Sequence, residues 1–278
     1  MEETACNSGN SRGTWPIVVG GCHRSGTSLL RRVLNAHSRI HCGPEIKFFR
    51  DFYGDYFDDP LAPYRFTSTA RAILPEEELV EVLGRAFVIV HERAARRVGK
   101  PRWADKAPEN VLYVEQWQRL LGDEWLLVHT VRNPLDTLAS MDAVGMPLTF
   151  PPDLDGRIEF YRRYTNAGLD FGGLHPKRYF RVVYEELSAA PEAVLGRLMA
   201  WLGEALEPQQ REFNEVAHQP GLEDPGVAET SAVHAESVDR WRTGLADDEA
   251  AAVWAVTEDI WRRIDPGGEI WSPGALLA

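Results

Sequence analysis

Lysine is scarce in this chain of 278 residues, and it is missing from the one loop whose motif calls for it. From Gly21 the segment GGCHRSGTS supplies the GxxxxG and the hydroxyl residues of a Walker A loop, GxxxxGK[ST], but Thr27 stands where the motif has its lysine. This absence leaves two interpretations, a broken ATP site or a working site for a different anion. The lysines of the chain are Lys47, Lys100, Lys106 and Lys177.

Cysteine is also rare, and long apolar runs and a net positive charge are absent. Three cysteines, Cys6, Cys22 and Cys42, lack the CxxC spacing of a metal site, which predicts a reducing compartment, by default the cytoplasm. No apolar run approaches the ~18 residues of a membrane span, and the polar N-terminus has no signal-peptide core. The formal net charge of −12 argues against a surface that coats nucleic acid or an anionic membrane. An anionic ligand is therefore expected in a local basic pocket.

Apolar strands and helical segments alternate along the chain. Strands are predicted at 15–19, 102–106, 124–131 and 178–184, and helices after the first loop and near 75–97, 109–121, 133–143, 156–170, 191–203 and 247–264. This alternation implies parallel βαβ units, so the fold class is α/β, with a central parallel sheet flanked by helices and ligands at the carboxyl ends of the strands.

The expected domain organisation is simple. We expect a flexible N-terminus over residues 1–14 and a single domain over residues 15–278. Residues 52–66 and 218–237 have an irregular composition, and each is interpreted either as a lid or as a surface loop without a role.

The Gly-rich loop favours anion binding. A strand before Gly21 and a helix after Gly26 turn backbone N–H groups toward one point at the positive end of the helix dipole. The plainer alternative is a glycine turn in which Thr27 and Ser28 only cap the helix. An ATP site would also need a carboxylate at a neighbouring strand end to hold Mg²⁺, but the strand at 124–131 is followed by Arg132. A cation there suits a second phosphate.

Two segments together resemble one enzyme family. GGCHRSGTSLLRRVLNAHSRIHCGPE is similar to the 5′-phosphosulfate loop of sulfotransferases that use 3′-phosphoadenosine 5′-phosphosulfate (PAPS), particularly the tyrosylprotein sulfotransferases and their soluble bacterial relatives. TVRNPLDTLASM resembles the 3′-phosphate motif of the same family. The resemblance implies a P-loop-type three-layer fold and PAPS as the donor, without a metal.

The resemblance also implies donor-binding residues. The backbone from Ser25 to Ser28 would hold the 5′-phosphate, with Arg24 on the sulfuryl group, where its planar fork of donors matches the oxygens. Arg132 and Ser140 would bind the 3′-phosphate, although an ion pair between Arg132 and Asp136 is the alternative. The full set of implied donor-binding residues is Arg24, Ser25, Gly26, Thr27, Ser28, Arg132, Ser140, Tyr184, Ser237 and Arg240.

Three residues are expected to carry the chemistry by the same resemblance. Glu45, in HCGPE, matches the position of the general base, and Lys106, in WADKAP, matches the lysine that stabilises the leaving oxygen. Arg24 would stabilise the transferring group. The alternatives are a first-turn helix acid for Glu45, an ion pair of Lys106 with Asp105 or Glu109, and His23 as the base.

Two further histidines and the acceptor remain to be placed. His37 and His41 lie four residues apart and are interpreted as helix-end packing in preference to zinc ligands. The expected acceptor is a hydroxyl or phenol of a small molecule such as a secondary metabolite, because Lys47 replaces an arginine that lies near the acceptor peptide in tyrosylprotein enzymes. Peptide tyrosine sulfation, a P-loop kinase and a nucleotide-sensing protein without turnover are the alternatives, and a homodimer is compatible with each.

Overall fold

A computed structural model describes residues 11–54, 65–144, 149–219, 221, 227 and 233–274 of the chain. Residues 11–14 form a short 3-10 helix, and residues 1–10 of the expected flexible N-terminus lie outside the described residues. The same is true of Cys6, of parts of the two irregular segments 52–66 and 218–237, and of a short stretch after residue 144. Those parts are residues 55–64, residues 145–148 and most of 220–232.

Five parallel strands form the sheet, in the order β2-β3-β1-β4-β5. The first strand in sequence lies in the middle, and the chain then builds outward on both sides of it, as in doubly wound folds. The predicted parallel α/β sheet is confirmed. The strands are β1 (Ile17–Gly21), β2 (Ile40–Cys42), β3 (Arg102–Lys106), β4 (Leu126–Val131) and β5 (Tyr179–Val183).

Helices connect the strands and cover both faces of the sheet. They are α1 (Thr27–Ala36), α2 (Phe48–Tyr53), α3 (Arg65–Ala70), α4 (Glu76–Arg97), α5 (Val114–Leu121), α6 (Pro134–Val144), α7 (Leu154–Leu174), α8 (Tyr184–Ala189), α9 (Pro191–Leu202), α10 (Trp241–Gly244) and α11 (Asp247–Ile264). Among the described residues, no helix is both long and apolar enough to cross a membrane.

Alternation along the strands divides the core into two layers. Val18 packs into one cluster, with aromatic residues of the helices that follow β3 and β4, whereas Ile17 and Val19 pack into the other, with α1 and α9. Successive side chains of a strand point to opposite faces, so a strand buried on both faces must be apolar throughout. The three-layer arrangement follows from this pattern.

The structure adds the short helices α2, α3, α8 and α10 to the predicted elements, and three further differences have a local cause. β2 was not predicted because its three residues are too short to display a periodicity. The expected helix over 109–121 divides into a 3-10 helix, Pro108–Tyr113, and α5. The helix expected over 156–170 begins earlier, because Asp153 caps it by accepting a hydrogen bond of 2.7 Å from the Gly156 N–H.

Candidate active site

The loop after β1 is shaped by two left-handed residues. Arg24 has φ 69° and Gly26 has φ 94°. A Cβ atom at Gly26 would lie 2.8 Å from Tyr184 Cδ2, so both the conformation and the close approach require glycine. α1 begins at the next residue, and the first N–H groups of a helix point out of its N-terminus. The loop therefore directs backbone donors toward the carboxyl edge of the sheet.

Ser25 stabilises this loop from within. Its hydroxyl donates to the Cys22 carbonyl oxygen at 2.6 Å and lies 2.8 Å from Thr130 Oγ1 at the end of β4. The Ser25 N–H also donates to the Cys22 carbonyl oxygen, at 3.2 Å. A tight turn of the loop thus uses both the hydroxyl and the N–H group of Ser25.

A cavity of about 620 Å³ opens beside this loop. It lies against the loop after β1, one side of α6 from Asp136 to Val144 and the first residue of α8, and the segment 234–244 closes it from the other side. Seven of the ten residues implied for donor binding line this one cavity, although they come from distant parts of the chain. They are Arg24, Gly26, Arg132, Ser140, Tyr184, Ser237 and Arg240.

Arg132 occupies the centre of the cavity wall, directly after β4. Its guanidinium donates to the carbonyl oxygens of Arg24, at 3.0 Å, and of Ser237, and it lies 4.7 Å from the centre of the Tyr184 ring. The alternative partner, Asp136, is 3.8 Å away. Arg132 Nε is buried and has no hydrogen-bond partner among the described residues. One donor of this cation is therefore available for a ligand.

Arg24 extends toward the same wall. Its Nε donates to Ser140 Oγ at 2.9 Å, which joins the loop to the second turn of α6. The resemblance implied Arg24 for the sulfuryl group and Ser140 for the 3′-phosphate. In the structure the two side chains are in direct contact beside Arg132.

Glu45 and Lys106 meet on the opposite side of the loop. Glu45 follows β2 and Lys106 ends β3, and because these strands are neighbours, the two side chains form an ion pair. Lys106 also donates to Ser28 Oγ at 3.3 Å, in the first turn of α1. Lys106 therefore pairs with Glu45 instead of with Asp105 or Glu109, and it lies where the loop presents its N–H groups.

The ion pair belongs to a larger buried network. Lys47 Nζ lies 2.8 Å from Glu45 Oε1 and 3.0 Å from Glu109 Oε1, and Arg50 also pairs with Glu109. Burial alone would raise the pKa of Glu109, but its contacts with His23, Lys47 and Arg50 hold that pKa well below the usual range. Three cations thus surround two carboxylates in a site with little exposed surface.

His23 faces the apolar core and Glu109. Its Nε2 lies 3.2 Å from Glu109 Oε1, and the rings of Phe150, Phe160 and Tyr164 lie between 5.4 and 5.7 Å from its own, centre to centre. Burial lowers the pKa of His23, so the imidazole is neutral at pH 7. The same Glu109 oxygen contacts Lys47, which in turn contacts Glu45, so His23 belongs to the charged network around Glu45.

The paired histidines do not form a metal site. His37 Nε2 lies 3.1 Å from the Ala205 carbonyl oxygen, and its Nδ1 accepts the Arg39 N–H at 3.0 Å. Both ring nitrogens are thus used at the end of α1, as helix-end packing requires. The described residues contain no group of three or more His, Cys, Asp or Glu side chains that could hold a metal ion.

Two buried carboxylates lie beside Arg132: Glu185, which the sequence did not single out, and Asp136, which it offered only as an alternative ion-pair partner of Arg132. Glu185 accepts hydrogen bonds from the Asn133 N–H at 2.9 Å and from Asn133 Nδ2 at 2.6 Å, and burial raises its pKa to about 7. Asp136 accepts hydrogen bonds from Asn133 Nδ2 and from the backbone N–H groups of Asp239 and Trp241. Both lie in the first turn of a helix, where acidic residues are common and do not by themselves indicate a site.

Comparison with known proteins adds a family and several structural likenesses. A model of the sulfotransferase family matches residues 16–208. No curated protein matches the chain closely enough to count as a relative. The fold is similar to that of the sulfotransferase domain from the Synechococcus PCC 7002 olefin synthase, with a TM-score of 0.61 and 19% identity over 87% of this chain and 94% of that one.

Two further solved structures share the fold. The sulfotransferase domain from the curacin biosynthetic pathway has a TM-score of 0.59 and 18% identity over 88% of this chain and 97% of that chain. The mouse sulfotransferase SULT7A1, complexed with PAP, has a TM-score of 0.52 and 15% identity over 93% of this chain and 87% of its own. At these identities the comparison concerns the fold alone.

Proposed function

We propose, for a chain that belongs to the sulfotransferase family and is itself a sulfotransferase, that the donor is PAPS and the acceptor is a hydroxyl or phenol of a small molecule. PAPS supplies an activated sulfuryl group, which would move to the acceptor oxygen by in-line displacement. The observation that carries the donor proposal is the convergence of seven expected donor-binding residues on one cavity.

The chemistry of the cavity fits a donor with two phosphate groups. Arg132 offers a buried Nε that lacks a partner among the described residues, and an anion is the partner that a guanidinium bonds most strongly. We assign the 3′-phosphate to Arg132 and Ser140, with Ser237 and Arg240 facing them across the cavity. Tyr184 lies against both Gly26 and Arg132 and is assigned to the adenine side.

The 5′-phosphate is assigned to the N-terminus of α1. Gly26 lets the chain pass close to Tyr184, and Thr27 and Ser28 begin the helix, so their backbone would hold this phosphate. Ser25 supports the loop and contributes through its shape. Arg24 donates its Nε–H group to Ser140 Oγ, and we assign its guanidinium to the sulfuryl group of the donor, as the resemblance implies.

Catalysis is assigned to Glu45 and Lys106, on the other side of α1 from the 3′-phosphate site. Glu45 would accept the proton of the acceptor hydroxyl, a form of assistance worth roughly 100- to 10,000-fold in rate. Lys106 would stabilise the oxygen that leaves the sulfur, because it lies at the Ser28 end of the helix. With these cations present, and with Arg132 where a kinase would hold its metal with a carboxylate, we propose a metal-free reaction.

Donor binding tests this proposal first. 3′-Phosphoadenosine 5′-phosphate (PAP), at about 100 times its dissociation constant, should add roughly 2.7 kcal/mol of stability, and ATP with Mg²⁺ should add less. Arg132→Ala should remove the effect of PAP, and Arg157→Ala, which pairs with the exposed Asp142 at the far end of α6, should keep it. Stabilisation by ATP with Mg²⁺ and none by PAP would favour the kinase alternative.

The acceptor, the assembly and the compartment are further parts of the proposal. A panel of hydroxylated small molecules and tyrosine peptides, incubated with labelled PAPS, separates the small-molecule acceptor from tyrosine sulfation. Turnover of any acceptor contradicts a nucleotide sensor.

The proposed compartment is the cytoplasm, because Cys22 and Cys42 are buried and free, as in a reducing environment. We also propose that residues 15–278 form one domain and that the chain forms a homodimer through α4.

A further inference from the structure

We propose that Asp136 is a positioning residue that holds the segment 237–241 over the 3′-phosphate site. This inference rests on the proposed donor, because it concerns the wall that faces Arg132. The segment supplies Ser237 and Arg240 to the cavity, and both come from a part of the chain about a hundred residues beyond α6.

Asp136 joins the two walls through backbone hydrogen bonds. It is buried in the first turn of α6, and its Oδ2 accepts the Asp239 N–H at 2.9 Å while its Oδ1 accepts the Trp241 N–H, also at 2.9 Å. Asn133 Nδ2 donates to the same Oδ2 at 2.7 Å. A carboxylate that accepts several N–H groups forms strong, charge-assisted bonds. Asp136 therefore holds two backbone groups of the segment against α6.

Asp239 shows that the segment is held in a conformation it would not adopt freely. Its φ is 63°, in the left-handed region that costs a non-glycine residue free energy unless the surroundings enforce it. Its Oδ1 accepts the indole N–H groups of Trp271, at 2.9 Å, and of Trp241, at 3.3 Å. Asp136 from one side and Trp271 from the other thus impose the turn.

The consequence of the turn is the placement of two groups. The Ser237 carbonyl oxygen accepts a hydrogen bond from Arg132, which orients the guanidinium, and Arg240 lines the opposite wall of the cavity. Asp136 also lies 3.8 Å from the Arg132 guanidinium, so it influences the orientation of Arg132 directly. Loss of Asp136 should release both walls without touching the loop after β1.

The test is the ratio of the affinities for PAP and for adenosine 5′-phosphate, which lacks the 3′-phosphate. Asp136→Asn keeps the size of the side chain, but its NH₂ group cannot accept the N–H donors that one carboxylate oxygen accepts. We expect the ratio to fall about 10- to 100-fold, mainly through PAP. Asp142→Asn, an exposed position on the same helix, is the matched control and should keep the ratio.

Trp271→Phe is a second variant that tests the inference if Asp136→Asn does not fold. It removes the indole N–H that donates to Asp239, together with part of a buried ring that packs on Trp254 and Trp261 outside the cavity, and it should lower the ratio by a smaller factor. An unchanged ratio in a folded Asp136→Asn protein, or in Trp271→Phe if Asp136→Asn does not fold, overturns this inference alone. A wild-type chain without preference for PAP overturns the proposed donor and the inference with it.

A different surface carries a second inference: we infer that two copies of this chain pair through α4, antiparallel to each other. The solvent side of α4 is apolar in its middle, where Val82 is 59% exposed and Val90 is 55% exposed, with Ala86 and Ile89 between them. Residues spaced by three or four share a helix face. Water-exposed valine and isoleucine in a contiguous stripe are typical of an interaction surface.

The opposite charges at the two ends of the apolar stripe favour a second copy of the chain in the antiparallel orientation. Glu76, Glu77 and Glu78 begin the helix and Arg93, Arg96 and Arg97 end it, and all are exposed. Antiparallel pairing about a two-fold axis near residues 85–86 brings the acidic end of one copy to the basic end of the other. Val82 then meets Ile89, and Ile73, which is 80% exposed, meets Val98.

Charge exchange tests this pairing. Glu78→Arg and Arg93→Glu should each shift the chain toward monomer in sedimentation, and the double variant should restore the dimer, because each side chain faces the other type across the axis. Residues 78 and 93 are about 22 Å apart along one helix, so they cannot restore each other within a copy. Val256→Asp on α11 is the control and should leave the dimer intact. A monomeric wild type, or a dimer that neither single variant weakens, overturns the inference.

Discussion

Replacement of Lys106 by methionine tests the catalytic assignment most directly. The side chain is buried, and its ammonium group contacts the Glu45 carboxylate and, at 3.3 Å, Ser28 Oγ. If Lys106 stabilises the leaving oxygen, its removal resembles the loss of one preorganised donor, which lowers kcat by about 100- to 1,000-fold. This corresponds to roughly 2.7–4 kcal/mol in the barrier.

The same substitution has a smaller effect on stability. Removal of one partner from a buried ion pair costs about 3–5 kcal/mol when the other charge is left alone. Glu45 keeps Lys47 at 2.8 Å, however, so we expect a loss of about 1–3 kcal/mol in the free energy of unfolding. Urea unfolding measures this loss, and the chain must be shown to remain folded during the kinetic assay.

Lys47→Met provides the comparison for the kinetic result. It also removes a cation from Glu45, but Lys47 has no contact with the first turn of α1 in the interactions described above. With labelled PAPS at saturation, we expect kcat to fall at least ten times further for Lys106→Met than for Lys47→Met. Equal losses, or a loss below about tenfold for Lys106→Met with donor affinity retained, would refute a specific role at the leaving oxygen.

Three further outcomes are expected. Glu45→Gln should lower kcat by about 100-fold or more while the affinity for PAP, measured by calorimetry, stays within about threefold, because the base acts on the acceptor; full activity would remove Glu45 from the mechanism. Gly26→Ala should weaken PAP binding at least tenfold in the same assay, because its Cβ would lie 2.8 Å from Tyr184 Cδ2 at a φ of 94°. Normal binding would contradict the close approach of the loop backbone to Tyr184. Burial raises the pKa of Glu185 to about 7, so between pH ~4.5 and ~7 the native state binds a proton that the unfolded state has lost. The free energy of unfolding should therefore fall by up to roughly 3 kcal/mol as the pH rises through this window. Glu185→Gln should flatten that fall in urea unfolding, and an unchanged pH profile would contradict the assignment.

Much of the cavity proposed as the donor site could be predicted, because it depends on local sequence and on one topological rule. A strand followed by a glycine loop and a helix defines the loop after β1, and Arg132 was recognisable as a cation directly after a buried strand. Parallel strands end at the same edge of a sheet, so the two segments were expected to meet. They do meet: Arg24 and Gly26 of the first segment line the same cavity as Arg132 and Ser140 of the second.

The remaining contacts depend on pairings between distant segments that no local pattern encodes. β2 is short, and without it the approach of Glu45 to Lys106 could only be implied by resemblance. The inward turn of the Ser25 hydroxyl depends on Thr130, more than a hundred residues away. Asp136 likewise acts on residues 239 and 241, and an acid in a first helical turn gives no sign of such a partner.

The strand order has a practical consequence for handling the protein. Every residue assigned to the site follows the carboxyl end of a strand or faces that edge, so the loops at the amino edge can be altered independently. Gly99, before β3, and Gly122, before β4, lie in such loops, and a side chain added at either would meet no atom within 4 Å. Both have a positive φ, 75° and 61°, which L side chains rarely adopt, so both glycines are best kept and only their neighbours changed. A cysteine inserted beside either position would offer an attachment point for a dye or a solid support that leaves the opposite edge open to nucleotide and acceptor.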